Sequence, residues 1–218
     1  MTTQPPPARL LLIRHGQAGG HDTPYGPTTP LTATGCLQAE RIAQSLHDSS
    51  LRRIYVSPFT RAQQTAQPSI ALSGLPCQTD DRLREFHLGD EKTSTIHELV
   101  NNRSYLATWR SHHGPEAGET LGEFQARVSH ALDEIATRHD GEAIALFTHA
   151  GTIAAAMRWA HGLTPQDDWH TDVEVSNASI TEIHHWHRGR HPEGAPFAFA
   201  IARLNDVSHL EPELVTDY

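Results

Sequence analysis

Leu10-Leu11-Leu12-Ile13 is an unbroken apolar run that stops at Arg14-His15-Gly16, the pattern of a strand buried on both faces. Residues 54–56 and 143–147 repeat it. Between these runs the apolar period lengthens. Cys36, Ala39, Ile42, Ala43 and Leu46 recur at helical spacing behind Thr32, and residues 58–73 predict a second helix. Thr120-Leu121-Gly122-Glu123 is a capping-box pattern ahead of the stripe Leu121, Phe124, Val128, Leu132 and Ile135. A fourth helix is expected over 153–161, where Gly162 can end it. Leu83 opens a short extended piece. Runs at 179–183 and 197–201, with a Gly/Pro-rich stretch between them, predict an antiparallel hairpin.

Alternation of strand and helix points to a three-layer α/β/α sandwich with a mostly parallel central sheet and an antiparallel edge. Residues 1–8, polar and carrying Pro5-Pro6-Pro7, read as a disordered lead-in. Residues 9–218 read as a single domain. Within it, 89–119 lack a sustained apolar period and read as an insertion capping the site. A chain of 218 residues can bury about 70% of its unfolded surface, so the core requires no staples.

Composition narrows the partners. Seventeen basic against 26 acidic residues give a net charge of −9, which argues against nucleic acid and against anionic membranes. No apolar run approaches the roughly 20 residues of a membrane span. Cys36 and Cys77 can make at most one disulfide and no cysteine-rich metal site, which fits a reducing cytoplasmic setting. The N-terminal stretch has neither the basic nor the apolar region of a secretory signal. Lys92 is the single lysine, so arginine, the side chain suited to bidentate phosphate contacts, carries nearly all the positive charge.

In a parallel sheet, ligands bind at the carboxyl ends of the strands. After the first run comes Arg14-His15-Gly16, after the second Ser57-Pro58-Phe59-Thr60-Arg61, and after the third Thr148-His149-Ala150-Gly151. If these strands are neighbours, two Arg and two His converge. Guanidiniums offer forked donors to phosphoryl oxygens, and helix starts after Ser57 and Thr148 add backbone N–H groups. An imidazole with one unprotonated nitrogen can attack phosphorus. Pattern alone does not choose between the two imidazoles, although Gly16 beside His15 allows close backbone approach.

These residues, in this order, resemble the histidine phosphatase superfamily, also called phosphoglycerate-mutase-like. The resemblance runs through Leu12-Ile13-Arg14-His15-Gly16-Gln17-Ala18, Leu31-Thr32-Ala33-Thr34-Gly35, the segment from Ser57 to Ala66, and Leu83-Arg84-Glu85-Phe86-His87-Leu88-Gly89. Gly118-Glu119-Thr120 with Phe124 and Arg127, Thr148-His149-Ala150-Gly151 and Asn177-Ala178-Ser179-Ile180 complete it. It implies hydrolysis of a phosphomonoester of a small metabolite through phosphohistidine. His15 would be the nucleophile, and Arg14, Arg61 and His149 would hold the phosphoryl group. Glu85 would be the general acid, with Gln17 and Ala150 lending phosphate contacts. No metal or other cofactor is implied, because cationic side chains carry the charge stabilisation. A homodimer is a family-level expectation. His21 stands where many members have a phosphate-contacting Asn, and Asp90-Glu91-Lys92 replaces an aromatic-containing segment.

Rival readings are a phosphoglycerate mutase working through the same residues and a phosphate-binding module without turnover. The short 89–119 segment, with Lys92, Arg103 and Arg110 as its fixed cations, favours water reaching phosphohistidine. His184-His185-Trp186-His187 reads as a solvated strand end in preference to a metal site. The pairs His21-Asp22, His47-Asp48 and His139-Asp140 hint at a metal phosphohydrolase, but two of them sit at polar helix ends. His97, Trp109, Arg110, His112 and His113 read equally as a lid or as plain surface.

Overall fold

A computed structural model describes residues 6–20, 25–47, 49–87, 118–169, 173–187 and 198–217. Six strands among these residues form one sheet: β1 (Ala8–Arg14), β2 (Leu51–Val56), β3 (Cys77–Thr79), β4 (Ala143–Thr148), β5 (Ile180–His185) and β6 (Phe199–Asp206). Their order is β3-β2-β4-β1-β5-β6. The first four positions in that order are parallel, and β5 and β6 pair antiparallel at the edge. Among the described residues four α-helices accompany them: α1 (Ala33–Leu46), α2 (Thr60–Ser73), α3 (Leu121–Arg138) and α4 (Ala150–Ala160). This is the expected α/β fold with a mostly parallel sheet and an antiparallel edge.

The unbroken apolar runs have a direct cause. Successive strand residues point to opposite faces, and both faces here are covered. Leu10 and Leu12 of β1, with Ile144 and Leu146 of β4, pack under Phe124, Val128 and Leu132 of α3 and Ile153 of α4. Leu11 and Ile13, with Ala145 and Phe147, pack against Ile42 of α1 and Ala62 and Ala66 of α2. Each buried Leu or Ile contributes about 1.5–3 kcal/mol, so a polar residue in either central strand would be expensive.

Thr32 caps α1 through its hydroxyl, and Thr120 and Glu123 form both bonds of the capping box on α3.

Several boundaries differ from expectation. β1 begins at Ala8, which is fully buried, one residue inside the expected lead-in. The piece at Leu83 is a short 3-10 turn (Asp81–Leu83), preceded by the three-residue strand β3. The last strand starts and ends later than 197–201. Residues 88–117, and with them His97, Lys92, Arg103, Trp109, Arg110, His112 and His113, lie outside the described residues, as do residues 1–5, the pair His21-Asp22, and 188–197. No helix among the described residues is long and apolar enough to cross a membrane.

Candidate active site

The sheet order brings the three motifs together. β4 lies between β1 and β2, with Arg14 opposite Thr148 and Val56 opposite Phe147, so His15, Ser57 and His149 all leave the sheet at one edge. His15 N–H donates to Thr148 O at 3.0 Å, and Ser57 N–H to Phe147 O at 2.9 Å, zipping the strand ends together.

His15 is buried, with 3% of its surface exposed. Its Nδ1 lies 2.8 Å from Gly16 O, and a carbonyl can only accept, so Nδ1 carries the proton. Nε2 therefore holds the lone pair, and it accepts from Arg61 Nε at 3.0 Å. Burial, reinforced by Arg61 and Arg14, holds the His15 pKa well below its ordinary value, keeping the ring neutral. Gly16 earns its place through packing. A Cβ there would lie 2.7 Å from Gly35 O, and one on Gly35 would lie 2.1 Å from Gln17 O, so the start of α1 presses directly on the loop after β1. Gly16 N–H donates to Thr65 Oγ1 of α2 at 3.0 Å, fixing that loop from a second side.

Arg61 sits on the first turn of α2, fully enclosed, with Nη1 donating to Gly26 O at 2.8 Å. Arg14 donates through Nη1 to Val175 O and, at 3.0 Å, to Asp217 O, while its buried Nε meets no partner among the described residues. His149 precedes α4. Its Nε2 lies 2.7 Å from Ser57 Oγ, and its buried Nδ1 is likewise without a partner among the described residues. The two imidazoles meet edge to face with ring centroids 5.1 Å apart. Burial, then Arg61 and His15, depress the His149 pKa well below normal.

Glu85 approaches from the loop after the 3-10 turn. Its carboxyl group accepts from Phe86 N–H at 2.9 Å and from Gly151 N–H at 3.0 Å, the latter at the start of α4. Arg127 holds this loop from below, donating to Arg82 O at 2.7 Å and Arg84 O at 3.1 Å while pairing with Glu119. His15, Arg14, Arg61, His149 and Glu85 are thus brought together, with Ala150 at the start of α4. Gln17 Oε1 accepts from Thr32 Oγ1 at 2.8 Å, and its backbone N–H donates to Gln38 Oε1 at 2.7 Å.

A model of the histidine phosphatase superfamily (branch 1) matches residues 10–194. The chain belongs to that superfamily. It is 30% identical over 223 residues to Glucosyl-3-phosphoglycerate phosphatase of Mycolicibacterium vanbaalenii, covering 96% of this chain and 97% of the relative. It is 26% identical over 213 residues to Probable phosphoglycerate mutase GpmB of Yersinia enterocolitica, covering 93% and 95%. The solved structure of Bacillus stearothermophilus YhfR superposes with a TM-score of 0.76 at 28% identity, covering 94% of this chain and all of that one. Phosphatase names recur among the relatives, and this member of the superfamily is a phosphomonoester hydrolase.

The histidine phosphatase motifs left other contacts unannounced. Ser57, Gln38 and the segment 214–217 touch the site residues through side-chain and backbone bonds that no spacing reveals. Gln38 Nε2 donates to Leu214 O at 2.6 Å and Thr216 Oγ1 at 3.0 Å, tying the far end of the chain to the loop that follows His15. His184 pairs with Glu182 at 2.8 Å, and His139 with Tyr55 at 2.9 Å. No group of three or more His, Cys, Asp or Glu among the described residues is placed to hold a metal ion.

Proposed function

We propose that the protein hydrolyses its substrate in two steps through a phosphohistidine at His15. The observation that carries this reading is the fixed tautomer: Nδ1–H is committed to Gly16 O, and the Nε2 lone pair faces the cationic groups. As a phosphoryl group approaches, Arg61 N–H exchanges the lone pair for a phosphoryl oxygen. His15 Nε2 then forms the bond to phosphorus while the bond to the ester oxygen breaks. Glu85 gives that oxygen its proton, so the alcohol departs neutral. In the second step Glu85 takes a proton from water, the hydroxide displaces His15 from phosphorus, and phosphate leaves. Arg14, Arg61 and His149 stabilise the charge on the three equatorial oxygens throughout.

Ser57 supports the role of His149. If its hydroxyl donates to Nε2, Nδ1 carries the hydrogen and becomes a donor for a phosphoryl oxygen. Cysteine usage supports a cytoplasmic setting, as Cys36 and Cys77 are exposed and free. A negatively charged chain fits a small phosphate ester better than nucleic acid or an anionic membrane, and a homodimer fits the superfamily.

Rapid quenching of the reaction with a ³²P-labelled ester tests this. Acid-labile, base-stable label on the protein is expected, together with inhibition by vanadate, whose trigonal-bipyramidal adduct resembles the transition state. His15→Ala should carry no label and keep its fold. Label persisting in that variant would remove His15 from the mechanism, and formation of an isomeric phosphate ester in large excess over free phosphate would make the protein a mutase.

A further inference from the structure

Tyr25 belongs to none of the motifs, yet its hydroxyl lies 3.5 Å from His15 Nε2. The face of its ring lies 4.5 Å from the Arg61 guanidinium carbon, and the ring of Phe59 stands 5.0 Å from the same carbon. With Gly26 O accepting from Nη1, residues 25, 26 and 59 bracket Arg61 on three sides. Gly19, in the left-handed region at φ +74°, makes room for the phenol: a Cβ there would lie 3.2 Å from Tyr25 Cδ2.

The surroundings of the hydroxyl are those of the reaction centre. Arg14, Arg61 and Glu85 are the charges that act on it, and burial outweighs both arginines, raising the phenol's pKa so that it stays a neutral donor. Tyr25 is half-buried, and a Tyr O–H withdrawn from water needs a partner. Nε2 meets that need poorly, at the outer limit of a hydrogen bond and with its lone pair already accepting from Arg61 at 3.0 Å. For attack, phosphorus must come within about 3–3.5 Å of Nε2. Its equatorial oxygens then pass through the same shell around the nitrogen as the hydroxyl. A small rotation of the side chain turns that proximity into a donor contact.

We propose that Tyr25 is a further catalytic residue of this site: its hydroxyl donates a hydrogen bond to a non-bridging oxygen of the phosphoryl group in transfer, while its ring holds Arg61 in place. The inference rests on the phosphohistidine reading above. A donor aimed at the equatorial oxygens acts on charge present whichever alcohol leaves, so its effect is independent of the leaving group. That separates it from a general acid.

Tyr25→Phe keeps the ring and removes the donor. Its kcat/KM should fall about 10–100-fold, the loss expected for one hydrogen bond to a charged group. The fall should be the same for p-nitrophenyl phosphate and for an alkyl phosphate, and vanadate should bind more weakly by a matching factor. Unchanged kcat/KM and vanadate affinity would overturn the proposal, and so would a faster or tighter-binding variant, in which the hydroxyl would be an obstruction. Should Tyr25→Phe fail to fold, fluorotyrosine at position 25, a stronger donor, serves instead: tighter vanadate binding supports the proposal and unchanged binding overturns it. A wild-type protein that acquires no label from the ester overturns the phosphohistidine reading itself, whereas a labelled wild type beside an unaltered Tyr25→Phe overturns this inference alone.

Discussion

A Cβ built on Gly151 would lie 2.3 Å from Glu85 Oε1, closer than two such atoms approach. The obstructed atom is the end of a flexible side chain, so Gly151→Ala has a cheap way out: the carboxylate swings aside and leaves the Gly151 N–H. The backbone of α4 tolerates alanine well. Stability should therefore change little while Glu85 loses its position. If Glu85 is the general acid, Gly151→Ala and Glu85→Gln should both slow an alkyl phosphate far more than p-nitrophenyl phosphate, with Glu85→Gln costing about 10²–10⁴-fold on the former. Combined, they should cost little more than Glu85→Gln alone, because both remove one interaction. Steady-state kinetics on the four proteins checks this; additive losses, or equal losses on both esters, would mean that the two residues act separately or that Glu85 is structural.

At the scale of elements, the loop carrying Glu85 hangs from α3. Arg127 donates to three carbonyls there, those of Arg82, Arg84 and Glu85, and Glu119, paired with Arg127, accepts from His87 N–H at 2.9 Å. The guanidinium also stands over the Phe124 ring at 5.0 Å, so Met in its place would keep the packing and lose the donors. Arg127→Met should lower the melting temperature and slow the alkyl ester by about 10–100-fold, the cost of misplacing one catalytic group by an ångström or so. The nitrophenyl ester should be spared, a contrast that loss of fold alone would not produce. Arg127→Lys should restore little, lacking the planar fork that serves several acceptors at once.

The helix α3 itself was legible from its stripe and capping box, and β1, β2 and β4 from their apolar runs, because burial on one or both faces leaves a period in the sequence. β3 left none: Cys77-Gln78-Thr79 is three exposed residues held by backbone bonds to β2. β6 was misplaced for a related reason. As an edge strand it exposes Ile201 and Leu204, so its apolar residues do not mark a buried face. The arginines and histidines of the site were readable because strand ends deliver them. Tyr25 and the 214–217 segment were not, since their contacts depend on how loops cross after the sheet has formed; Ser57 stood at a strand end, but spacing did not reveal its bond to His149.

For the whole molecule, the sheet divides into a parallel half that carries the site residues and an antiparallel flank, β5 and β6, with Glu182 at the seam. This carboxylate is 4% exposed and accepts from Arg9 of β1 at 2.8 Å, from Arg203 of β6 at 2.7 Å and from His184 at 2.8 Å. Burial raises its pKa, but the hydrogen bonds from Arg9, His184 and Arg203 prevail and bring it down from 4.5 to about 2. Beyond β6 the chain runs on to Thr216 and Asp217, whose bonds to Gln38, Asn177 and Arg14 reach the site. The ion cluster thus anchors the strand from which that segment departs. Because the folded pKa lies below the unfolded one, the unfolded state takes up the proton first as pH falls. The contribution is complete above pH ~4.5, is lost as pH drops toward ~2, and amounts to on the order of 3 kcal/mol, taking 1.36 kcal/mol per pKa unit. Glu182→Gln removes that titration, and its arginines, each about one-third exposed, can turn to water. Denaturant unfolding of both proteins should show the variant weaker by most of that amount at pH 7. The gap should hold to about pH 5, then close as pH approaches 2, since the protonated wild type has lost the same ion pairs. A gap that stays constant down to pH 2 would mean that Glu182 stabilises the seam by its shape and hydrogen bonds instead of by its charge.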